Sequence, residues 1–270
     1  METALFTWAG PDTVVPGPLT AGPWDPGHCH GGAPGALVAH LADTAAAPVP
    51  MTTVRCTIDL LRPVPRQRLR TVVTVLREGR RVQRVGVELQ DDDGDALVRC
   101  AALRIRTTQL ALPEGLPRPE HLDAPGPDEL TRYTGGPEWP AGFFEALELR
   151  LPDGRIGQRG PTAAWTRLRM PVLPDTPILP LSRVAAAADF GNGISSPLPM
   201  GPFLFINPDL TIDVHRPPDG PWVGLQAATA VESRGTGLTT SRLYDHTGRI
   251  GTALQSLYVD HGATGAPAAR

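Results

Sequence analysis

At 270 residues, 41% of them hydrophobic, the chain can bury one large core or two of ordinary size. Its formal net charge of -3, with no basic run longer than Arg80-Arg81, excludes the cationic face of a nucleic-acid binder. Cys29, Cys56 and Cys100 are too few and wrongly spaced for a disulfide framework or a metal site, and neither a secretory leader nor a run of roughly 20 apolar residues is seen, so a cytoplasmic protein with no membrane span is expected.

Residues 3–9 and 13–20 read as short strands, and the stretch 22–32 holds too much Pro and Gly to be regular. It leads into a helix predicted over 33–47, with Pro34 in its first turn, where proline is tolerated. Ala, Leu and Val fill that helix on nearly every side, His40 and Asp43 excepted, which predicts burial. Strand-like runs follow at 52–61, 69–77, 82–90 and 96–107, the last two joined by the turn Asp91-Asp92-Asp93-Gly94. Residues 108–138, rich in Pro, Gly and acidic side chains, read as a linker.

After the linker, 143–151 and 163–170 read as strands, and Pro174 to Pro180 as the entry to a small-residue helix over 183–188. That helix delivers one carboxylate, Asp189, expected to be exposed, and then breaks in a loop containing Gly191 and Gly193. Strands at 203–206, 210–215, 221–232, 236–244 and 250–259 complete the chain, with a Gly/Ala-rich tail from Gly262 read as disordered.

The halves repeat, a feature best sought early. Asp59-Leu60-Leu61-Arg62-Pro63 matches Asp213-Val214-His215-Arg216-Pro217, and Leu89-Gln90-Asp91 matches Leu243-Tyr244-Asp245, both at an offset of 154 (213 − 59 and 243 − 89). The helices match at 146 (Asp43 with Asp189), so the second half carries about eight extra residues between helix and next strand (154 − 146). A helix followed by an antiparallel sheet, twice, predicts an α+β fold. The division expected is 1–107, a linker over 108–138, 139–261 and a tail over 262–270.

The run His30-Gly31-Gly32-Ala33-Pro34-Gly35-Ala36-Leu37, the strand Thr57-Ile58-Asp59-Leu60-Leu61-Arg62-Pro63-Val64-Pro65 and the duplication resemble type II acyl-CoA thioesterases. The closer likeness is to the thioesterase-like proteins common in actinobacteria, over roughly residues 15–260. The resemblance implies a double hotdog, two tandem repeats each wrapping an antiparallel sheet around a central helix. It implies hydrolysis of acyl-CoA or acyl-carrier thioesters without a cofactor or metal, coenzyme A being part of the substrate, and it suggests a homo-oligomer. It also implies a water-holding trio, carried here by Asp189, Asn207 and Gln255, with Asn207 standing where better-studied members have Thr.

The repeat acts as an internal control. At the 154 offset Gln255 faces Ala101 and Asn207 faces Thr53, so the first half lacks the Gln. An interior Gln must find partners or cost a few kcal/mol, and it reads either as functional or as a satisfied core amide. Asp189 has a twin in Asp43, which also fits a structural feature of the helix end, although the helix dipole opposes a carboxylate there. Gly31 and Gly32 read as substrate-binding, since N–H groups at a helix start can stabilise an oxyanion, with a tight turn as the alternative, and the resemblance implies that His30 stands at the site entrance. Cys29 between two histidines invites a Cys–His nucleophile, without a third orienting residue. Arg62 and Arg216 read as salt-bridged strand ends or phosphate contacts, and Trp24, Trp139, Trp165 and Trp222 as core or interface anchors. Two rival functions stand beside hydrolysis: processing of carrier-bound intermediates by cyclisation, dehydration or acyl transfer, and acyl binding without catalysis.

Overall fold

Alternation of apolar and polar residues makes the strands, as in Val85, Val87 and Leu89, all buried, against exposed Arg84. The computed structural model describes residues 4–23, 25–117, 119–135, 142–152, 156 and 159–262. The first half comprises β1 (Phe6–Trp8), β2 (Thr13–Pro16), α1 (Gly32–Thr44), β3 (Met51–Leu60), β4 (Leu69–Arg77), β5 (Val82–Gln90) and β6 (Ala96–Arg106). The second comprises β7 (Thr131–Arg132), α2 (Phe143–Ala146), β8 (Leu147–Leu151), β9 (Thr162–Leu168), α3 (Pro180–Ala188), α4 (Gly191–Ser195), β10 (Phe203–Ile206), β11 (Asp209–Val214), β12 (Val223–Glu232), β13 (Thr236–Asp245) and β14 (Gly248–His261).

One antiparallel sheet runs through both halves in the order β1-β2-β4-β5-β6-β3-β11-β14-β13-β12-β9-β8-β7, with β10 pairing off this path against β14. Its centre is a palindrome: β4-β5-β6-β3 faces β11-β14-β13-β12. At the join Thr57 pairs with Thr211, Ile58 with Leu210 and Cys56 with Ile212. Since 211 − 57 is the repeat offset of 154, Thr57 lies opposite its own counterpart, and the approximate twofold of the duplication passes between them. The two long helices pack on the inside of this sheet. α1 is buried from Gly32 to Ala42, as expected of a helix apolar on all sides.

Several boundaries differ from expectation. The first helix ends at Thr44, not Ala47, because Arg104 reaches in from β6 and binds the carbonyls of Asp43 and Ala45, while Gln83 binds that of Ala46. This satisfies carbonyls that the last turn leaves without partners. The strand expected over 13–20 stops at Pro16, and Pro18–Thr20 forms a 3-10 turn. Phe143 to Ala146 is a helical turn, not strand, with the Phe143 N–H donating to the carbonyl of Ala21. The expected loop after Asp189 is helical as well, α4 following α3 almost at once.

The segment read as a linker is exposed over residues 108–117 and docked from Glu120 onward. Glu120 pairs with Arg242 and Arg249, the Trp165 indole donates to the carbonyl of Pro125, and β7 adds to the sheet beside β8. Trp165 is thereby a core anchor, whereas Trp222 lies beneath the guanidiniums of Arg150 and Arg167. Trp24, Trp139, residues 136–138 and the tail from 263 lie outside the described residues. Among the described residues no helix is long and apolar enough to cross a membrane.

Candidate active site

Small residues let α1 and α3 approach closely. A Cβ on Gly32 would lie 2.6 Å from the Phe143 ring and 3.1 Å from the carbonyl oxygen of Ala186. The helices run antiparallel, so the start of α1 meets the end of α3. There a Cβ on Gly31 would lie 2.8 Å from Oδ2 of Asp189, closer than such atoms come, so only glycine leaves the carboxylate its place. Asp189 is not the exposed charge expected. It is 5% exposed, because the first turn of the other repeat's helix covers it.

Its two oxygens have separate partners. Nδ2 of Asn207 donates to Oδ1 at 2.9 Å, and Nδ1 of His30 lies 3.0 Å from Oδ2. The imidazole is held between rings, 4.7 Å from Phe190 and 5.0 Å from Phe143, with Phe144 edge-on at 5.7 Å. These three phenylalanines were not identified from sequence. Phe190 adjoins Asp189 and was within reach of that reading; Phe143 and Phe144 come from a distant segment and gave no signal.

The two glycines part company. Gly31 lines the cavity described below, and among the described residues its N–H has no acceptor. Gly32 is buried against α3 and its N–H donates to Nδ1 of His30 at 3.1 Å. Gln255, in the middle of β14, is also fully buried and stands behind the site. Its Oε1 accepts the Asn192 N–H at 3.1 Å and its Nε2 donates to the backbone carbonyl of Asp189 at 3.3 Å. It therefore clamps the turn between α3 and α4. Gly191 makes room for it, since a Cβ there would lie 2.7 Å from Oε1.

His30, Gly31, Asp189 and Asn207 line one end of a cavity of about 510 Å³. Its other walls are mostly apolar, with Leu60, Val64, Phe144, Phe190, Met200 and Phe205 among them, and its rim carries Arg62 and the Asp25–His28 pair. An apolar chamber with a few converging polar groups suits a small-molecule chain with one polar functional group. Arg62 is spoken for by Asp95 at 2.7 Å, and Arg216 binds Asp245, so both strand-end arginines are salt-bridged.

Cys29 also lines the cavity, but burial pushes its thiol up to about 11, which leaves almost no thiolate at neutral pH. Cys29→Ala should keep thioester hydrolysis within about twofold of wild type, since only the thiolate attacks. Persistence of a covalent acyl-enzyme in wild type, lost in the variant, would contradict this.

The twofold produces a mirror site, and it is incomplete. Thr53 Oγ1 donates to Oδ1 of Asp43 at 2.7 Å, as Asn207 does to Asp189, beside a cavity of about 170 Å³ at the start of α3. At the 146 offset Thr176, Pro177 and Ile178 correspond in sequence to His30, Gly31 and Gly32, and the α3 residues that line this cavity are Pro180, Leu181 and Val184, of which Pro180 has no N–H to offer.

Comparison with known proteins accords with this geometry. The family model for the acyl-CoA thioesterase N-terminal domain matches residues 20–106, and that for the acyl-CoA thioesterase C-terminal domain matches residues 123–259. The chain belongs to the acyl-CoA thioesterase family. No curated protein matches its sequence significantly. Among solved structures, one assigned as a thioesterase II from Thermobifida fusca shares 16% identity with a TM-score of 0.74, over 94% of this chain and 95% of its own. A hot dog protein of unknown function from Alicyclobacillus acidocaldarius shares 16% at 0.68, over 97% and 96%. An acyl-CoA thioesterase II from Mycobacterium marinum shares 17% at 0.65, over 96% of each chain. These likenesses establish the fold, a double hotdog. This acyl-CoA thioesterase is thus a thioester hydrolase by family.

Proposed function

We propose that the protein hydrolyses acyl-CoA by direct attack of water in the cavity just before the start of α1 and after the end of α3, with no covalent enzyme intermediate and no cofactor. The carrying observation is that Gly31, whose N–H has no acceptor among the described residues, and the carboxylate of Asp189 line the same apolar chamber side by side. The acyl chain lies along the apolar walls and the thioester carbonyl takes the Gly31 N–H. A donor so placed, in a site closed to bulk water, is worth about 3 kcal/mol to the developing oxyanion. Asp189 draws a proton from the water as its oxygen bonds to the carbonyl carbon. The C–S bond then breaks, the sulfur takes up a proton, and free acid and coenzyme A leave past Arg62.

In this reading Asn207 holds Asp189 in line, and its amide oxygen faces the water as an acceptor only. Gln255 is a positioning residue, acting through the backbone of Asp189 and Asn192. We assign the cytoplasm as its location, coenzyme A or an acyl carrier as the handle of its substrate, and residues 1–107 and 139–261 as its two repeats. The β4 edge beyond Arg70, where Val73, Val75 and Leu76 are exposed, is the surface for pairing into a homo-oligomer.

The test is thiol release from a panel of acyl-CoAs, short to long and aromatic. Gln255→Ala should lower kcat about tenfold or more and cost about 1–3 kcal/mol of stability, because it strands a buried N–H and a carbonyl. Tight acyl-CoA binding with no thiol release over hours would leave only the acyl-binding reading standing.

A further inference from the structure

We propose that Asn192 is a catalytic residue, its side-chain amide donating to the thioester oxygen beside the Gly31 N–H as that oxygen gains charge. This rests on the hydrolytic reading above. Its basis is an amide left over. Two side-chain amides line the chamber, those of Asn192 and Asn207. Nδ2 of Asn207 is committed to Oδ1 of Asp189 at 2.9 Å and to the carbonyl of Asp209 at 3.3 Å. The backbone N–H of Asn192 is likewise used, donating to Oε1 of Gln255 at 3.1 Å. Its side chain is different. Among the described residues it has no hydrogen-bond partner, and neither atom of its amide is sealed from open space. In a residue only 8% exposed, that open space is the chamber it lines. A polar group enclosed without a partner is destabilising, and bound substrate makes good the deficit.

The backbone sets this amide beside the carboxylate. Asp189 and Phe190 keep right-handed helical angles after α3, and α4 opens at Gly191. Residues three apart on such a backbone are neighbours on one face, with about 5–6 Å between their Cβ atoms, so Asn192 adjoins Asp189. Gly31 lies against the same carboxylate from the other repeat. Asp189 therefore has a free backbone N–H and a free side-chain amide as neighbours in the chamber wall. One N–H alone makes a thin oxyanion hole, since a tetrahedral oxyanion has three lone pairs and such sites aim several donors at it. The NH₂ of an Asn adds two donors without a charge and takes no part in proton traffic. As the water oxygen bonds to the carbonyl carbon and its proton goes to Asp189, the C=O pair moves onto oxygen, where Gly31 and Asn192 hold it. That pair returns as C–S breaks and the sulfur takes the proton. The first repeat, whose helix ends at Thr44, has Ala46 at the 146 offset (192 − 146), so this amide, like Gln255, belongs to one copy only.

The experiment uses the full-length protein and one acyl-CoA that wild type hydrolyses. Asn192→Leu keeps the bulk of the side chain without its donors, and Asn192→Asp keeps an oxygen acceptor while losing the NH₂. Neither touches the backbone N–H that Gln255 holds. In both, kcat should fall about 100-fold or more while KM moves less than about threefold, the loss expected for one oxyanion donor. Two analogues that cannot be hydrolysed then separate contact with the reacting oxygen from a structural role. In a ketone with CF₂ in place of sulfur, the hydrated carbon carries two oxygens and resembles the tetrahedral intermediate. An S-alkyl thioether of coenzyme A has no oxygen there. Asn192→Leu should weaken binding of the ketone about 30-fold or more and of the thioether less than about threefold. A ketone weakened no more than the thioether would reduce Asn192 to a residue that shapes the chamber. Wild-type kcat in Asn192→Asp would make its oxygen the working atom, and a kcat within about threefold in Asn192→Leu would leave it no role. Each of these results overturns the proposal alone. A wild type that releases no thiol from any acyl-CoA would instead strike at the hydrolase reading itself.

Discussion

Asp189→Asn should abolish thioester hydrolysis, lowering kcat by about 1,000-fold or more, while the protein melts within a few degrees of wild type. The substitution is close to isosteric. Its amide oxygen still accepts from Nδ2 of Asn207, and its NH₂ can donate to Nδ1 of His30, so the hydrogen bonds that place the side chain survive. What is lost is the carboxylate that lies against Gly31 in the cavity wall. The mirror carboxylate supplies a control within the same molecule. Asp43→Asn should leave the rate within about twofold, because that site has Thr176 and Pro177 at the sequence positions of His30 and Gly31. Steady-state thiol release and thermal melts on both variants make the check. A rate above a tenth of wild type for Asp189→Asn would sink the assignment.

The largest expected loss of stability lies far from the cavity, at Asp245. Its side chain is wholly buried, and its two oxygens take both Nη atoms of Arg216, the N–H groups of Asp219 and Thr247, and the Thr247 hydroxyl. Asp245→Ala should cost about 3–5 kcal/mol, since it leaves a partly buried guanidinium and two N–H groups without their acceptor. The pair Arg62–Asp95 at the other repeat's strand end is more than half exposed on both sides, and Asp95→Ala should cost under about 1 kcal/mol. Urea unfolding at neutral pH distinguishes the two. The pH dependence has a definite sign. Burial alone would push the Asp245 carboxyl up, but Arg216 and the Asp219 and Thr247 donors outweigh it and hold it well below the usual carboxylate range. A carboxyl lowered on folding stabilises the native state above its ordinary value, near pH 4, and that contribution fades as pH falls below it. The gap between wild type and Asp245→Ala should therefore be full at pH 7 and shrink only in acid. Equal losses for Asp95→Ala and Asp245→Ala would contradict the argument.

The duplication was legible because strand ends and turns use distinctive residues, Asp-x-x-Arg-Pro and a turn ending in Gly, at one spacing. The helix of small residues ending in a carboxylate singled out Asp189, although the first repeat's helix carries Asp43 at its end in the same way. The eight extra residues of the second half were countable, and α4 with the start of β10 occupies them, but periodicity over so short a segment cannot distinguish a helical turn from a loop. Burial of Asp189 was not legible, because the residue that covers it, Gly31, belongs to the other repeat. Nor was the direction of Gln255. Alternation along a strand decides which face a side chain takes, not whether its amide stops at a backbone turn or continues into a cavity. The roles of Gly31 and Gly32 separated for a similar reason: successive residues at a helix start sit about 100° apart around its axis, and of the two only Gly31 lines the chamber.

The join at Thr57 and Thr211 has a consequence for how the chain has come to divide its labour. Because the strands that meet there are copies of one another, each half presents to the other the edge it would present to a twin. The proposed constellation draws on both copies: Gly31 and His30 come from one, Asp189 and Asn207 from the other. A half paired with its own duplicate would assemble two alike sites, and neither arrangement would contain the full set, for the first copy has Ala101 in place of Gln255 and the second has Pro177 in place of Gly31. Fusion into one polypeptide releases each copy from carrying every part. One helix start has specialised as donor and one helix end as acceptor, and the redundant ends have become scaffold, one closed by Arg104 and the other begun with proline.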